Sequence, residues 1–210
     1  MKTQPPLSMK SHWENVYQSH RPDELSWHVA HLDHSLVLIT QAAPEKTAAI
    51  IDVGGGESTL VDDLLTLGYR ALTVLDISDA CMARARKRLD VLAAKVIWQA
   101  ADITDATLPA AQYDLWHDRA VFHFLTEAAD RVAYVAQIRN SLKPGGHLVM
   151  ATFAMDGPRT CSNLDVVRYD QKSLHEALGA EFTLLAHEEI DHVTPSHAVQ
   201  RFSYCTFRFR

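Results

Sequence analysis

Short apolar runs alternate with segments of helical periodicity along most of this chain. The apolar runs predict five buried strands, at residues 48–53, 71–78, 95–100, 113–117 and 147–154. Between these runs, apolar residues recur at the spacing of amphipathic helices. Such alternation predicts a doubly wound α/β sheet with parallel strands and with helices on both of its faces.

Residue types at the ends and faces of the helices refine this prediction. Asp170 is expected to cap the last helix, and Gly179 to stand just past its end. The helix that starts near Thr126 is expected to bury one face, formed by Val132, Val135, Ile138 and Leu142.

The two ends of the chain depart from the alternation. Residues 11–40 have helical periodicity, so we expect a helical lid over residues 1–45 in front of a core at 46–210. The last thirty residues contain two strand-like segments with no helix between them, which predicts an antiparallel ribbon. Aromatic residues change faces near Thr206, which predicts a bulge or a strand buried on both sides. The expectation is one domain with seven strands, parallel except for the C-terminal strand.

Composition narrows the classes of function. The chain has 210 residues, 47% of them hydrophobic, which suits one globular domain. Its formal net charge of −6 argues against nucleic acid as the main partner. Three cysteines without disulfide or zinc spacing, no signal-peptide pattern and no membrane-length apolar window favour a cytoplasmic protein without a membrane partner. We expect a monomer or a weak homodimer.

Ligands of doubly wound sheets bind beyond the carboxyl ends of the strands. Candidate binding residues follow the first three strands: Asp52, Gly54, Gly55, Gly56 and Ser58, then Asp76 and Ile77, then Asp102 and Ile103. Glycines allow a tight turn and a close approach of ligand to backbone. A carboxylate such as Asp76 can accept hydrogen bonds from a ribose, and Asp102 can accept one from the amine of a base. Each acid alone is also a common turn residue.

A charged group interrupts the fourth apolar run, where His117, Asp118 and Arg119 stand together and His123 follows. Charged groups seldom enter an apolar run without a partner or a task. Both histidines are candidate general bases, because imidazole titrates near neutral pH, although each has an alternative as a core residue. Arg119 is a candidate partner of Asp118 or of an anionic substrate. All four are therefore candidate catalytic residues.

Together these motifs resemble the class I S-adenosylmethionine-dependent methyltransferases. The segments that carry the resemblance are IIDVGGGES (50–58), LTVLDIS (72–78), QAADIT (99–104) and LKPGGHLVMATF (142–153). The Asp118-Arg119 pair resembles that of small bacterial enzymes similar to thiopurine and tellurite methyltransferases. A related branch that methylates protein lysines usually has Asp-Lys-Gly where this chain has Asp118-Arg119-Ala120.

The resemblance implies an activity and assigns roles. S-adenosylmethionine would be the cofactor, S-adenosylhomocysteine the by-product and a small molecule the methyl acceptor. Asp76 would hold the ribose, Asp102 would meet the adenine amine, and the main chain near Asp118 would line the methionine end. Two alternatives stay open at this point: a protein lysine methyltransferase, and a regulator that binds the cofactor without catalysis.

Other segments are candidates for covering the site. Trp13 is expected to contact the cofactor, with Tyr17 and Trp27 beside it, although amphipathic packing explains these aromatic residues almost as well. Residues 192–197 join the last two strands, and we expect them to close over an acceptor pocket faced by His123 and Asp118.

Two further groups of residues have side chains that can bind metals or react. His28, His31 and His34 recur every three residues on a predicted helix, a spacing that spreads them around it, so no metal site is predicted. Cys161 lies in a loop after the fifth strand, where it is either a buried bystander or a thiol that touches a soft acceptor.

Overall fold

The computed structural model describes residues 8–210 and contains the predicted seven-stranded sheet. Its strands are β1 Ala49–Val53, β2 Ala71–Asp76, β3 Val96–Ala100, β4 Tyr113–Arg119, β5 Leu142–Phe153, β6 Phe182–Val193 and β7 Val199–Phe209. They are ordered β3-β2-β1-β4-β5-β7-β6, and β7 runs antiparallel to both of its neighbours while the other six share one direction. The predicted fold class is confirmed.

Helices cover both faces of this sheet. They are α1 Met9–Ser19, α2 Asp33–Ala42, α3 Leu60–Thr66, α4 Asp79–Leu89, α5 Ala128–Ser141 and α6 Gln171–Leu178. Asp170 caps α6 by accepting a hydrogen bond from the Ser173 N–H, and Gly179 follows its end, as predicted. None of the helices within residues 8–210 has the length and apolar character needed to cross a bilayer.

Strand residues alternate between two hydrophobic cores. Ile50 and Leu115 pack toward the side that holds α1 and α2, whereas Ile51 and Trp116 pack toward the side that holds α5 and α6. Side chains of successive strand residues point to opposite faces of a sheet, so strands covered on both sides must be apolar at nearly every position. This is why the strands were visible in the sequence as unbroken apolar runs.

The N-terminal region is helical over only part of residues 11–40, which were predicted to be helical. α1 ends at Ser19 and α2 begins only at Asp33, with a short 3₁₀ turn at Pro22–Glu24 between them. Proline disfavours helical backbone in the residue before it, which ends the helical path near Pro22. Leu25 is buried from this loop, so the apolar spacing of the loop reflects packing rather than a helix. Residues 1–7 of the predicted lid lie outside the described residues.

The predicted buried face of the helix near Thr126 is also partly wrong. The helix begins at Ala128, and Val135 and Ile138 are buried as expected. Val132 is 68% exposed, and Leu142 belongs to β5 instead of the helix. Tyr134 completes the buried face in their place, because it lies on the same side as Ile138, one turn away.

The C-terminal ribbon contains the predicted bulge, but the extra residue lies on β6 and not on β7, which contains Thr206. The register of β6 against β7 shifts at Leu185, which faces the junction of Thr206 and Phe207. Residues 202–207 of β7 are all buried, with Tyr204 in one core and Cys205 in the other. Both readings of the aromatic pattern therefore hold: the ribbon has a bulge, and β7 is covered on both faces.

Candidate active site

Two adjoining cavities open at the carboxyl ends of the parallel strands. The larger, here called the main cavity, has a volume of about 400 Å³, and the smaller, the side cavity, about 250 Å³. Tyr17, Trp27, Gly54 and Arg119 border both of them. The main cavity falls within the size range of small-molecule sites, and it lies where ligands of doubly wound sheets bind.

Most of the predicted cofactor-binding residues border these cavities. Around the main cavity lie Trp13, Gly54, Asp76, Ile77, Asp102 and Ile103. Around the side cavity lie Asp52, Gly54, Gly55 and Ser58. Gly56 borders neither, but a Cβ at this position would lie 3.1 Å from the Asp76 Oδ2 and 3.2 Å from the Tyr17 hydroxyl. Glycine here therefore lets the turn pass close beside Asp76.

The first residue of the glycine turn is fixed by a close contact between two strand ends. Gly54 has a φ of +70°, and its N–H donates to the Leu75 carbonyl at 2.7 Å. A Cβ on Gly54 would lie 2.0 Å from the Cγ2 of Val121, which follows β4. Both the left-handed backbone and this approach require glycine.

Asp76 has one carboxylate oxygen engaged and one directed at the glycine turn. Its Oδ1 accepts a hydrogen bond from the Ser78 N–H at 2.9 Å, whereas its Oδ2 faces Gly56. Burial raises the pKa of Asp76 to about 6, because a desolvated carboxylate is less stable than one in water. The group is ionised at neutral pH and protonates in mildly acidic solution.

Asp102 combines both roles considered for it. Its Oδ1 accepts from the backbone N–H of Thr104 at 2.9 Å and from the Thr104 hydroxyl at 2.7 Å, so it shapes its own turn. The carboxylate also borders the main cavity, where its Oδ2 has no hydrogen-bond partner among the described residues. One oxygen can thus hold the loop while the other accepts a ligand donor.

The side chain of Asp118 does not face an acceptor pocket, contrary to the prediction. β4 continues to Arg119, so Asp118 lies on the opposite sheet face from His117 and Arg119. Its fully buried carboxylate accepts hydrogen bonds from the N–H groups of Val121 (2.8 Å) and Phe122 (3.0 Å) and from the Tyr134 hydroxyl (2.5 Å). Burial raises the pKa of Asp118 to about 6 despite these donors. Asp118 holds the chain that follows β4.

His117 has both ring nitrogens engaged within the protein. Its Nδ1 lies 2.7 Å from the Asp52 Oδ1, and its Nε2 lies 3.0 Å from the Ser35 hydroxyl. The Ser35 hydroxyl in turn lies 3.4 Å from that of Tyr204. His117 borders only the side cavity and could take up a substrate proton only by giving up one of these bonds, so a structural role replaces the expected catalytic one.

His123 is a core residue rather than a general base. The turn Phe122–Phe124 places its ring between those of Phe124 and Phe153, at centroid distances of 4.5 Å and 4.7 Å. Its Nδ1 accepts a hydrogen bond from the Phe153 N–H at 3.3 Å. Burial, assisted by the positive charge of Arg119, lowers the pKa of His123 to about 3. The imidazole is neutral and borders neither cavity.

Arg119 borders both cavities and does not form the predicted pair with Asp118. Its Nη1 donates to the Trp27 carbonyl at 3.3 Å, and its guanidinium carbon lies 4.5 Å from the centre of the Phe202 ring. The alternation of side chains along β4 separates it from Asp118. Arg119 is therefore the member of the charged group that reaches the cavities with its charge available.

Aromatic side chains form much of the wall of the main cavity. Trp13 makes edge contacts with Trp27 at 5.7 Å and with Phe124 at 5.0 Å. Phe153 and Phe202 continue this wall at 4.9 Å from one another. The two tryptophans were predicted from the sequence, whereas Phe124, Phe153 and Phe202 were not. The position of Phe153 at the end of β5 was a usable signal, whereas Phe202 reaches the cavity only because β7 pairs with β5.

The remaining candidate segments occupy other places. Residues 192–197 do not border either cavity, because His192 is held at 2.6 Å from the Ser26 carbonyl. Cys161 does border the main cavity, and burial raises the pKa of its thiol. His28 and His31 precede α2 instead of lying on a helix, and His31 pairs with Asp63 at 3.0 Å. Within residues 8–210 no cluster of three or more potential ligands is arranged to hold a metal.

Known proteins share the sequence pattern of the first four parallel strands. Residues 50–146 match the family described as a methyltransferase domain. An uncharacterized methyltransferase of Mycobacterium tuberculosis is 31% identical over 121 residues, which cover 57% of this chain and 58% of the relative. The eEF1A lysine and N-terminal methyltransferase of Danio rerio is 22% identical over 158 residues, 74% of this chain and 23% of the relative. The chain thus spans only part of each of these relatives.

Solved methyltransferase structures share the fold over almost the whole chain. The 1,6-didemethyltoxoflavin-N1-methyltransferase of Burkholderia thailandensis, with 1,6-didemethyltoxoflavin and S-adenosylhomocysteine bound, superposes with a TM-score of 0.75 at 20% identity, covering 99% of this chain and 93% of that one. The N-methyltransferase NodS of Bradyrhizobium japonicum, with S-adenosylhomocysteine, gives 0.67 at 19% identity, covering 93% and 98%. These likenesses show the shared fold, and the match of residues 50–146 agrees with the class inferred from the motifs.

Replacing Asp118 by alanine should destabilise the protein strongly. The change leaves two buried N–H groups and the Tyr134 hydroxyl without their acceptor, so we expect the free energy of unfolding to fall by about 3 kcal/mol or more. Urea denaturation at pH 7.5 measures this. Asp105→Ala is the control, because Asp105 is exposed and its side chain makes no hydrogen bond. Equal stabilities of the two variants would contradict the assigned role.

The buried imidazole of His123 should make the fold sensitive to acid. Its pKa is about 3 in the folded protein and about 6.5 when unfolded, so protonation stabilises the unfolded chain as pH falls from 6.5 toward 3. His123→Phe should lose less stability between pH 7 and pH 4.5 than the wild type, although its stability at pH 7 is lower because the Phe153 N–H loses its acceptor. Denaturation at both pH values, with the exposed His20→Phe as control, tests this; parallel losses in all three proteins would count against it.

Proposed function

We propose that this protein is an S-adenosylmethionine-dependent methyltransferase that transfers a methyl group to a small molecule. The observation that carries the proposal is the lining of the main cavity. Two carboxylates, Asp76 and Asp102, border it together with the turn at Gly54 and several aromatic side chains. A nucleoside-bearing cofactor suits the carboxylates, and a separate acceptor suits the aromatic side chains.

Asp76, Asp102 and their neighbours in the main cavity fit the cofactor. The Asp76 Oδ2 would accept hydrogen bonds from the ribose, and the Asp102 Oδ2 would accept one from the adenine amine. Ile77 and Ile103 border the same space and offer apolar contact to the base. The methionine portion would extend past Gly54 toward the side cavity, where Gly55 presents backbone. The methyltransferase-domain match over residues 50–146 supports this assignment.

The residues of this chain favour catalysis by positioning. The bound cofactor supplies a methyl group on a positively charged sulfur, which an acceptor lone pair displaces in line. The aromatic wall of Trp13, Trp27 and Phe124 would exclude water and orient the acceptor, and orientation alone is worth up to about 7–11 kcal/mol in well-aligned reactions. Among the described residues no histidine borders the main cavity. In the proposed reaction the acceptor would arrive with its lone pair available.

Two features favour a small acceptor over a protein lysine. The wall of the main cavity includes Trp13, Phe153 and Phe202, which suits a compact apolar molecule. A lysine ammonium entering there would approach the guanidinium of Arg119, and like charges repel. The structural neighbour from Burkholderia has 1,6-didemethyltoxoflavin bound, which supports the same choice. The closer likeness to thiopurine and tellurite methyltransferases, and the division into a lid and a core, stay predictions.

Transfer of label from the cofactor should identify the class of acceptor. Incubation of the purified protein with methyl-labelled S-adenosylmethionine and a bacterial lysate is expected to label the small-molecule fraction. Asp76→Ala should reduce this transfer when the cofactor is scarce, because the ribose loses its acceptor and the cofactor binds more weakly. Label in the protein fraction would instead favour a lysine methyltransferase, and label in neither would favour a regulator without catalysis.

Cofactor affinity should depend on the ionisation of Asp76. Because the pKa of Asp76 is about 6 and only the carboxylate accepts hydrogen bonds from both ribose hydroxyls, S-adenosylhomocysteine affinity should be nearly constant from pH 7 to 8 and fall below pH 6, toward a total loss of about tenfold. Calorimetry between pH 5 and 8 measures this. Burial raises the pKa values of Tyr17 and Cys81, two titratable neighbours of Asp76, so neither ionises in this window. The charges of Asp52 and Glu14 also act on Asp76 and raise its pKa.

Two variants separate Asp76 from other groups in that titration. Asp76→Asn should bind about tenfold more weakly at pH 8 and show a flat profile, since the amide cannot ionise. Asp130→Asn removes an exposed carboxylate at the rim of the main cavity and should keep the wild-type profile. A wild-type profile in Asp76→Asn would remove Asp76 from the cofactor site.

A further inference from the structure

Arg119 differs from the other arginines near the cavities in having no carboxylate partner. Arg88, beside the side cavity, pairs with Asp62 at 2.7 Å, and Arg84 pairs with Glu57 at 3.1 Å. Among residues 8–210 no ion pair involves Arg119, and its buried Nε makes no hydrogen bond. Among the described residues, Arg119 makes one hydrogen bond, which its Nη1 donates to the Trp27 carbonyl. Several donors of this guanidinium therefore remain available to a ligand.

An unpaired guanidinium in an apolar wall is unfavourable unless a ligand completes it. Phe202 covers one face of the Arg119 guanidinium, and Trp27, Phe153 and Phe202 border the cavity around it. Charges in such surroundings are normally paired and hydrogen-bonded, because desolvation is costly. The nearest acid in sequence, Asp118, is on the other face of β4 with its oxygens engaged. A bound anion would complete the hydrogen bonding of this guanidinium.

The shape and chemistry of the wall specify the rest of that molecule. Tryptophan and phenylalanine rings favour flat aromatic partners through stacked and edge contacts. Arg119 offers a planar fork that binds carboxylates in two-point contact, and it also lowers the pKa of an acidic group placed beside it. An acceptor whose acidic group is ionised by Arg119 does not need a histidine to remove its proton, and among residues 8–210 no histidine borders the main cavity.

We propose that Arg119 binds the ionised acidic group of a planar aromatic or heteroaromatic acceptor in the main cavity. The inference rests on the proposed methyltransferase function and names the substrate class of the same site. Arg119 would select anionic over neutral aromatic molecules, and the aromatic wall would supply the affinity that both kinds share.

A second anion could meet Arg119, namely the carboxylate of the cofactor's methionine portion, because Arg119 also borders the side cavity. The two sources make different predictions. If the guanidinium serves the cofactor, its loss weakens S-adenosylhomocysteine binding but not that of 5′-methylthioadenosine, which lacks the amino-acid portion. If the guanidinium serves the acceptor, its loss leaves the binding of both S-adenosylhomocysteine and 5′-methylthioadenosine unchanged.

The test uses one pair of probes and four proteins. 2-Naphthoate and 2-naphthamide have similar shape, and only the first is anionic. Calorimetry in the presence of saturating S-adenosylhomocysteine would compare wild type, Arg119→Met, Arg119→Lys and Arg86→Met. Arg86 is the matched control, since it is an exposed arginine over an aromatic ring, Trp98, and borders neither cavity.

Wild type should bind naphthoate at least about tenfold more tightly than naphthamide, a typical effect of a charge-assisted hydrogen bond. Arg119→Met should lose this preference while keeping naphthamide and S-adenosylhomocysteine affinity within about threefold, since the aromatic wall and the acids remain. Arg119→Lys should keep part of the preference, because lysine keeps the charge without the planar fork. Arg86→Met should behave as wild type.

Three results would overturn the inference. They are equal affinity of wild type for the two probes, absence of naphthoate binding at its solubility limit, and a selective loss of S-adenosylhomocysteine binding in Arg119→Met. The first two need no variant and so do not depend on whether a variant folds. Failure of wild type to bind S-adenosylhomocysteine at all would reject the proposed function itself, which keeps the two failures distinguishable.

Discussion

The carboxylate of Asp118 determines where β4 ends and how the chain leaves it, and the rest of the site depends on this. By accepting from the N–H groups of Val121 and Phe122, it turns the backbone directly after the strand. That turn brings Val121 against Gly54, so that only glycine fits at the end of β1. It also buries His123 and leaves Phe124 facing the main cavity. A charge that looked catalytic in the sequence is thus structural, and it supports the geometry in which binding occurs.

A second buried network connects the glycine turn to distant parts of the chain. Asp52 bonds to His117, His117 to Ser35 on α2, and Ser35 lies near Tyr204 on β7. Buried polar groups of this kind are favourable only when each has its partner, so the network couples the position of α2 to that of β1 and β7. α2 is therefore held in one defined position relative to the sheet.

The sequence predicted what depends on local pattern and failed where a side chain's role depends on which face it occupies. The apolar runs gave the strands because both faces of the sheet are covered, and Asp76 and Asp102 were found because strand ends converge on one edge. The roles within the charged group could not be assigned, because β4 was expected to end at His117, and two more strand residues place Asp118 and Arg119 on opposite faces. The partners Ser35 and Tyr134 are remote in sequence, and no local signal pointed to them.

The order of strands at the end of the chain has a consequence for biosynthesis. β7 lies between β5 and β6, so β6 is made before the strand that joins it to the sheet. A nascent chain that has not yet produced residues 199–209 exposes the edge of β5, and such an edge is a template for pairing with other chains. It also lacks Phe202, which completes the wall of the main cavity and covers Arg119. Protection of the β5 edge and a complete wall of the main cavity therefore arrive together, once residues 199–209 have been made.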